Sequence, residues 1–352
     1  MNINSSAKLV SIIVPIYNVE SYLDDCLNSF VIQTSQDFFV YLIDDGSTDK
    51  SSEIAKGYAN KYPSLFKYIR QENKGLGGAR NTGLTYVDTE YVMFFDSDDF
   101  MANRAIERIV DHISKSAVAD DIIFFNPVIY DYATKAYEPW HDSWLIKSLF
   151  ENTERICPRE TPKLMESEAS VCRAVWKTEF LKRINLNFLE HTHWEDVPPH
   201  FLLMHEAESA SFLRYEGAYY YRFNTGTQIT SGSGKSRLDM KHIFNEIKPY
   251  FKNKNWDKLS KAYMISFLAN YLFWSINVVN QEYLPQFIDI CHDFFKTISL
   301  SQYLCFFRKT ETMLRDKIMI WFLKSHIFYR VLKDKRKIGR YMKVFKLLRR
   351  QK

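Results

Sequence analysis

Three carboxylates stand directly behind an apolar run. Residues 91–95 are apolar and are followed by Asp96, Ser97, Asp98 and Asp99, which predicts a buried strand whose carboxyl end opens into a polar crevice. Mg²⁺ and Mn²⁺ bind carboxylate oxygens and share their remaining coordination positions with substrate phosphates. In open α/β sheets, ligands bind at the carboxyl ends of the strands. The Asp-x-Asp pattern therefore indicates a metal-bridged diphosphate, and the alternative is an ordinary acidic turn or helix cap.

Strand-like apolar runs alternate with helical patterns over the first third of the chain. The runs occupy residues 9–16, 38–43, 66–69, 91–95 and 121–129. The first run is expected to stop at Pro15, because proline lacks the N–H that a strand needs. Helical spacing at residues 20–31 and 105–113, and a glycine-rich stretch at 73–83 that leads into a helix, separate the runs. This alternation predicts an α/β domain with a mainly parallel sheet flanked by helices.

Strand patterns end near residue 236, and long aromatic-rich helical patterns continue to the C-terminus. We therefore expect two domains, residues 1–235 and a helical C-terminal module at 236–352. The uncharged stretch 263–279 is at the lower limit of membrane-spanning length and contains polar residues, so a buried helix is the favoured interpretation.

Four motifs of the first domain occur together in a familiar order. They are Val14-Pro15-Ile16-Tyr17-Asn18, Ile43-Asp44-Asp45-Gly46-Ser47-Thr48-Asp49, Asn73-Lys74-Gly75-Leu76-Gly77-Gly78-Ala79-Arg80-Asn81 and Asp96-Ser97-Asp98-Asp99. As a set, they closely resemble family 2 glycosyltransferases of the GT-A fold, over residues 8–230. The resemblance implies a nucleotide-diphospho-sugar transferase that moves a sugar to an acceptor, usually with inversion at the anomeric carbon. A Rossmann G-x-G-x-x-G fingerprint is absent from the chain.

The resemblance assigns the donor side of the site. Asp45 would read uracil, Tyr17 would pack against the base, and Arg80 would place a cation near the nucleotide. The implied nucleotide-binding residues are Pro15, Tyr17, Asp45, Asn73, Gly78, Arg80, Asp96 and Arg222. The implied cofactor is Mn²⁺ or Mg²⁺ bound by Asp98 with Asp96, whereas Asp99 would be a cap or a supporting residue. The alternatives are an Asx turn at Asp44-Asp45, a core position for Tyr17, and a flexible turn with a surface arginine at Arg80.

An inverting transfer also needs a carboxylate that deprotonates the acceptor hydroxyl. His193-Trp194-Glu195-Asp196-Val197 resembles the Glu-Asp pair of the family at the start of an acceptor-side helix. The resemblance implies that Asp196 is the base and that Glu195 orients the acceptor, although carboxylates at a helix start also serve as caps. Downstream, Arg222 and the segment 228–231 resemble a closing loop that neutralises the leaving diphosphate.

The basic residues are concentrated at the C-terminus. The net charge of the chain is +5, yet residues 333–352 alone contain ten Lys or Arg against one acid. Apolar residues at 338, 341, 342, 345 and 348 alternate with these cations, which predicts a basic amphipathic helix suited to an anionic membrane surface. A terminal helix docked on its own module is the alternative. Nucleic acid would also fit the pattern, but a GT-A domain gives no reason for it, so no nucleic-acid partner is expected.

The sequence thus predicts an inverting, metal-dependent glycosyltransferase that uses a UDP-sugar. Its expected acceptor is a glycan or a lipid-linked molecule in bacterial surface polysaccharide synthesis. We expect a cytoplasmic location, peripheral on the inner face of the membrane, because the N-terminus has no apolar signal segment. The alternatives are a nucleotidyltransferase that makes a nucleotide-sugar and a non-catalytic sugar-nucleotide-binding protein. The donor sugar, the linkage and the oligomeric state are not predicted.

Overall fold

A computed structural model describes residues 8–224 and 234–325 of the 352-residue chain. These residues belong to two compact units, 8–224 in the first and 234–325 in the second, which are described separately. The predicted closing segment 228–231 and the basic tail 333–352 lie outside the described residues.

Within residues 8–224, eleven strands form two sheets. They are β1 (Val10–Ile16), β2 (Phe38–Asp44), β3 (Phe66–Arg70), β4 (Tyr91–Phe94), β5 (Ile122–Phe124), β6 (Val128–Asp131), β7 (Tyr137–Pro139), β8 (Arg155–Ile156), β9 (Ala174–Lys177), β10 (Ala210–Phe212) and β11 (Tyr220–Phe223). The main sheet has the order β3-β2-β1-β4-β9-β5-β10-β8, and the small sheet has the order β11-β6-β7. Strand β1 is parallel to β2 and β4, and β5 is parallel to β10, whereas β9 is antiparallel to both of its neighbours. The predicted mainly parallel sheet is confirmed, but the sequence does not predict β9.

Seven α-helices accompany the sheets in residues 8–224. They are α1 (Glu20–Val31), α2 (Ser51–Lys61), α3 (Gly75–Leu84), α4 (Ala105–Lys115), α5 (Ser143–Leu149), α6 (Thr178–Arg183) and α7 (Val197–Glu206). The helices expected at 20–31 and 105–113 are confirmed as α1 and α4. The glycine-rich stretch was expected to precede a helix, and this expectation is wrong, because α3 begins at Gly75 and includes the later glycines.

Strand β1 is buried along its whole length. The expectation that it stops at Pro15 is wrong, because the strand continues to Ile16. Pairing with β4 involves only residues 10–13, whereas pairing with β2 continues to Ile16. The carbonyl of Ile13 accepts a hydrogen bond from Phe95 on the β4 side, so Pro15, two residues later, faces the same side after β4 has departed. The missing N–H of Pro15 therefore costs no ladder hydrogen bond.

The second unit is helical, as the sequence predicts. Its α-helices within residues 234–325 are α8 (Met240–Lys252), α9 (Lys258–Val278), α10 (Leu284–Phe295), α11 (Leu300–Lys309) and α12 (Leu314–Lys324). All of the uncharged stretch 263–279 except its last residue lies in α9, and more than half of the residues of that helix are buried. In the part of the chain that the structure describes, no helix combines the length and the apolar character that crossing a membrane requires.

Candidate active site

The carboxyl ends of β1, β2 and β4 lie side by side at one edge of the main sheet, because the three strands are parallel neighbours. Tyr17 follows β1, Asp45 follows β2, and Asp96 and Asp98 follow β4. Pro15 is buried within β1, whereas Tyr17 is 51% exposed. The alternative that Tyr17 is a core residue is therefore wrong, and its ring is accessible at the edge where ligands bind in such sheets.

Asp44 has a structural environment. Its carboxylate is fully buried and accepts hydrogen bonds from the backbone N–H of Ser47, at 2.8 Å, and from Ser52, Tyr68 and Arg70. Burial acts to raise the pKa of Asp44, but the hydrogen bonds from Ser52, Tyr68 and Ser47 hold that pKa below its usual value. The Asx-turn alternative thus describes Asp44, which fixes the end of β2.

Asp45, the next residue, holds the chain that leads into α3. Its Oδ1 atom accepts hydrogen bonds from Gln71 Nε2 at 2.7 Å and from the backbone N–H of Lys74 at 2.8 Å. Asn73 donates its Nδ2 hydrogen to the Asp45 carbonyl at 3.1 Å. The Oδ2 atom accepts no hydrogen bond from the described residues, so one lone-pair-bearing oxygen is left for a donor such as a base imide.

The glycines of α3 allow close packing against the chain around residue 189. A Cβ atom on Gly77 would lie 2.2 Å from the Leu189 carbonyl oxygen, and one on Gly78 would lie 2.3 Å from the Lys74 Cβ. Gly75 has φ +76°, a conformation that L side chains rarely adopt. The structure therefore places Gly78 in protein packing, and its contact with a nucleotide stays a prediction.

Arg80 is buried at the centre of the site. Its Nη1 donates to Glu195 Oε1 at 2.6 Å, and its Nη2 donates to Asp96 Oδ1 at 3.0 Å. Only 2% of Arg80 is exposed, so the surface-arginine alternative is wrong. Burial opposes the positive charge, but the carboxylates of Asp96 and Glu195 raise the pKa of the guanidinium above its usual value. Arg80 is thus a permanently charged bridge between two sequence motifs.

The acidic motif after β4 concentrates negative charge. Burial, and then the neighbouring Asp96, raise the pKa of Asp98 to about 6. Asp99 is fully buried, and its carboxylate accepts hydrogen bonds from the Tyr219 hydroxyl and from the Arg222 N–H, the latter at 2.7 Å. Burial and the charge of Asp98 raise the pKa of Asp99. Asp99 therefore joins this loop to β11 by hydrogen bonds, and its supporting role in the site stays a prediction.

Asp96 and Asp98 have the donor chemistry for a divalent cation. Among residues 8–224 and 234–325, no group of three or more His, Cys, Asp or Glu side chains could hold a metal ion by itself. Mg²⁺ commonly needs only one or two protein carboxylates, because substrate phosphates complete its coordination. Burial and the charge of Asp96 raise the pKa of Asp98 against the opposing effect of Arg222, so a further cation beside Asp98 would stabilise its charged form. The two carboxylates therefore fit a cation shared with a diphosphate.

Glu195 and Asp196 precede α7. Glu195 is buried, and burial raises its pKa against the opposing effect of Arg80. Burial, and then the charge of Glu195, raise the pKa of Asp196 well above its usual value. The side chain of Asp196 makes no capping hydrogen bond to α7, so the capping alternative is wrong for this residue. Trp194 has φ +66°, a strained conformation for a bulky residue, and such strain is concentrated at functional sites.

Arg222 in β11 lies against the acidic motif. Its Nε donates to the Asp98 carbonyl at 2.8 Å, and its Nη1 lies 3.3 Å from Asp25 Oδ2. The guanidinium lies over three aromatic rings, those of Tyr22, Phe100 and Tyr132. The structure thus brings Arg222 to the acidic motif. Its partner segment 228–231 lies outside the described residues.

The sequence analysis assigns no role to three residues of the site. Tyr219 bonds to Asp99, Cys172 Sγ lies 3.9 Å from Arg80 Nη2, and Asp25 pairs with Arg222. The aromatic run that ends at Arg222 is a signal that could have identified Tyr219. Asp25 and Cys172 carry no comparable signal, because their elements meet the site only in the folded chain.

Residues 11–177 match the family model described as Glycosyl transferase family 2. The matched part contains most of β1, all of β2 to β9, and the donor-side residues Asp45, Arg80, Asp96 and Asp98, whereas Glu195, Asp196 and Arg222 follow it. This part of the chain therefore matches glycosyl transferase family 2, as the four motifs indicate.

Individual relatives agree with this assignment. The uncharacterized glycosyltransferase EpsJ of Bacillus subtilis (strain 168) is 33% identical over 222 residues, which cover 61% of each chain. The minor teichoic acid biosynthesis protein GgaB of the same organism is 37% identical over 115 residues, which cover 32% of this chain and 13% of GgaB. The chain thus spans less than two thirds of these curated relatives. The S. aureus TarS 1-349 structure in complex with UDP-GlcNAc superposes with a TM-score of 0.72 at 22% identity, covering 94% of this chain and 92% of TarS. The GT-A fold is therefore confirmed.

Proposed function

We propose that this chain is an inverting, metal-dependent glycosyltransferase that moves a sugar from a UDP-sugar to a glycan or lipid-linked acceptor. The observation that carries the proposal is the double contact of Arg80 with Asp96 and Glu195. It joins the Asp-x-Asp motif, which suits a nucleotide diphosphate, to the Glu-Asp pair, which suits an acceptor hydroxyl. A nucleotide-binding protein without transfer activity would have no need for the second half of this arrangement.

The donor nucleotide binds at the ends of β1 and β2. The free Oδ2 of Asp45 accepts the imide N–H of uracil, and the exposed ring of Tyr17 packs against the base. Asn73 holds the Asp45 backbone, and Pro15 and Gly78 shape the floor of the nucleotide site. The UDP-GlcNAc bound to TarS supports a uridine nucleotide as the donor.

The diphosphate lies at the end of β4, beside Asp96 and Asp98. Bound there, Mn²⁺ or Mg²⁺ would neutralise the phosphate oxygens and stabilise the charge of the leaving group. Asp96 is held in place by Arg80, and its side chain remains one-third exposed, which leaves it able to reach the donor ribose as well. Arg222, on the other side of the acidic motif, adds a buried cation close to the leaving diphosphate.

Asp196 is the general base in this mechanism. It takes the proton of the acceptor hydroxyl while that oxygen forms its bond to the anomeric carbon, and the bond from this carbon to the diphosphate breaks. Attack on the face opposite the diphosphate inverts the anomeric configuration. The raised pKa of Asp196 suits a base that works near neutral pH. Glu195, fixed by Arg80, orients the acceptor.

The biological setting follows from the relatives and the tail. GgaB is named for minor teichoic acid biosynthesis, which supports a surface polysaccharide as the product. The basic segment 333–352 would attach the enzyme to the inner face of the cytoplasmic membrane, where lipid-linked acceptors are found. The protein would then be cytoplasmic and peripheral.

The test is donor hydrolysis and transfer by the full chain with a panel of UDP-, GDP- and dTDP-sugars and Mn²⁺. We expect release of UDP from one donor and loss of that release in EDTA. Asp196→Asn should abolish transfer while UDP still binds, and Asp111→Asn, on the outer part of α4, should behave as the wild type. Full transfer activity in Asp196→Asn would contradict the assignment of Asp196 as the base. UDP release that continues in EDTA would contradict the metal dependence.

A further inference from the structure

A cavity of about 570 Å³ opens beside β10 in the first unit. One wall is the outer face of α5 and its end, with Lys147, Ser148 and Glu151, and the opposite wall is the segment 212–216. Asn126, two residues after β5, lies in the same lining. The volume is within the range of small-molecule sites in proteins, about 300–1,000 Å³.

One polar atom in this lining lacks a partner. Asn126 is 4% exposed, and its Nδ2 donates to the Ser143 carbonyl at 3.4 Å. Its Oδ1 atom is buried and has no hydrogen-bond partner in the described part of the chain. Buried acceptors are usually satisfied, so this oxygen is a ready acceptor for a hydroxyl donor in the cavity.

The charges around the cavity cancel. Lys147 Nζ lies 3.1 Å from Glu216 Oε1, and Arg214 donates to the Phe150 carbonyl at 2.8 Å. With Glu151, the lining holds two cations and two carboxylates, so it does not select an ion of either sign. Such a lining suits an uncharged ligand that is rich in hydroxyl groups.

Aromatic rings complete the chemistry of a sugar site. Phe212 and Tyr215 are part of the lining. Trp144 is 60% exposed and precedes Lys147 and Ser148 by three and four residues on α5, so the three side chains share one helix face. Rings with an accessible apolar face can pack against the C–H face of a pyranose.

The cavity lies at the same edge of the sheet as the proposed transfer site, the edge where the carboxyl ends of the parallel strands meet. Strands β4 and β5 have the same direction, because each is antiparallel to β9 between them, and β10 is parallel to β5. The wall ends at Glu216, and Tyr219, which bonds to Asp99, is three residues later, at most about 10 Å along the chain. We infer that this cavity is a subsite for an uncharged sugar ring of the acceptor glycan, at a distance from the reacting hydroxyl. The inference rests on the proposed function.

The test measures binding of neutral methyl glycosides to the full chain by saturation-transfer NMR. The probes are the methyl glycosides of glucose, galactose, N-acetylglucosamine and rhamnose, with glycerol 3-phosphate as a charged comparison. We expect at least one glycoside to bind and Ser148→Trp, which fills the cavity from an exposed position, to weaken that binding at least tenfold. Trp144→Ala should weaken it as well, and Asn60→Trp, at an exposed position of α2, should not.

Binding that survives in a folded Ser148→Trp variant would overturn the inference, and so would preference for glycerol 3-phosphate over every glycoside. If the wild-type protein binds UDP but none of the glycosides, the subsite is overturned and the proposed transferase function is not affected. Once an acceptor is known, the inference also requires Ser148→Trp to raise the acceptor KM more than it lowers kcat. Glycoside binding without any donor binding would contradict the proposed function and the acceptor role together.

Discussion

Arg80 Nη1 donates to Glu195 Oε1 at 2.6 Å although the two residues are 115 positions apart in the chain. The same guanidinium holds Asp96 at 3.0 Å. Both side chains of the Arg80–Glu195 pair are less than one-tenth exposed, so water screens the contact weakly. A change of charge at Glu195 therefore affects the electrostatic environment of Asp96, and a change at Asp96 affects that of Glu195.

Removal of Arg80 should destabilise the fold as well as stop the reaction. Arg80→Met leaves the buried Glu195 and the partly buried Asp96 without their cation, and we expect the free energy of unfolding to fall by about 3–5 kcal/mol. Arg104→Met is the matched control, because Arg104 pairs with Glu107 at the surface, where water screens the interaction and its contribution to stability should be much smaller. Urea unfolding measures the free energy of unfolding of both variants. Equal losses in the two variants would show that the Arg80 bridge is unimportant.

Glu195 should set the pH dependence of the base. Burial is the largest cause of the raised pKa of Asp196, and the Glu195 charge is the next. Activity should fall as the pH falls through this raised pKa, since protonated Asp196 cannot accept a proton. Glu195→Gln removes the neighbouring charge, so the acidic limb of the kcat–pH profile should move to lower pH. An acidic limb that stays in place, or moves upward, would contradict the assignment of Asp196 as the titrating base.

Without metal, the folded protein should be more stable when the Asp98 carboxyl group is protonated than when it is charged. The folded chain holds a proton on Asp98 up to about pH 6, against a usual value of 3.8. The free energy of unfolding therefore falls by on the order of 2–3 kcal/mol as the pH rises from about 4 to 6. Asp98→Asn should raise the melting temperature in EDTA at pH 8 and remove any stabilisation by Mn²⁺ with UDP. An Mn²⁺-dependent rise that persists in the variant would place the cation elsewhere.

Local patterns predict the donor half of the fold well. Strands β1 to β4 and helices α1 and α4 follow from apolar periodicity, which depends on neighbours in sequence. Strand β9 does not follow in this way, because its four residues, Ala174–Lys177, of which the first three are buried, carry no alternating pattern and are ordered by β4 and β5 on either side.

In the site, too, some features are predicted from the sequence and others depend on contacts that form only in the folded chain. The sequence identifies Asp98 and Asp196 as chemically important, because the motifs that contain them resemble those of family 2 glycosyltransferases. It does not reveal that Arg80 faces Glu195 and not the solvent, since that contact depends on how α3 packs against residues 188–195. Nor does it reveal that the glycines of α3 are there for that packing.

Gly77 should be essential for this packing. In Gly77→Ala the new Cβ would lie 2.2 Å from the Leu189 carbonyl oxygen, which belongs to backbone and cannot swing away. We expect a loss of about 1–3 kcal/mol in the free energy of unfolding, and lower activity, because the chain that leads to Glu195 must shift. Gly57→Ala on α2 is the control: its Cβ meets nothing within 4 Å, so the variant should be more stable by about 0.5–1 kcal/mol. Calorimetry measures the stability of both variants. A Gly77→Ala variant as stable as the wild type would contradict the tight packing.

The basic tail should carry membrane binding. Deletion of residues 333–352 removes ten Lys or Arg and one acid, and each cation near an anionic surface contributes on the order of 1 kcal/mol. The full chain should co-sediment with phosphatidylserine-containing liposomes at low salt and remain in the supernatant with neutral liposomes, and the truncated chain should remain there in both cases. Because Debye screening weakens such attraction, binding should also decrease at high salt. Co-sedimentation of the truncated chain equal to that of the full chain would show that some other surface binds the membrane, and activity on a soluble acceptor should be the same in both proteins.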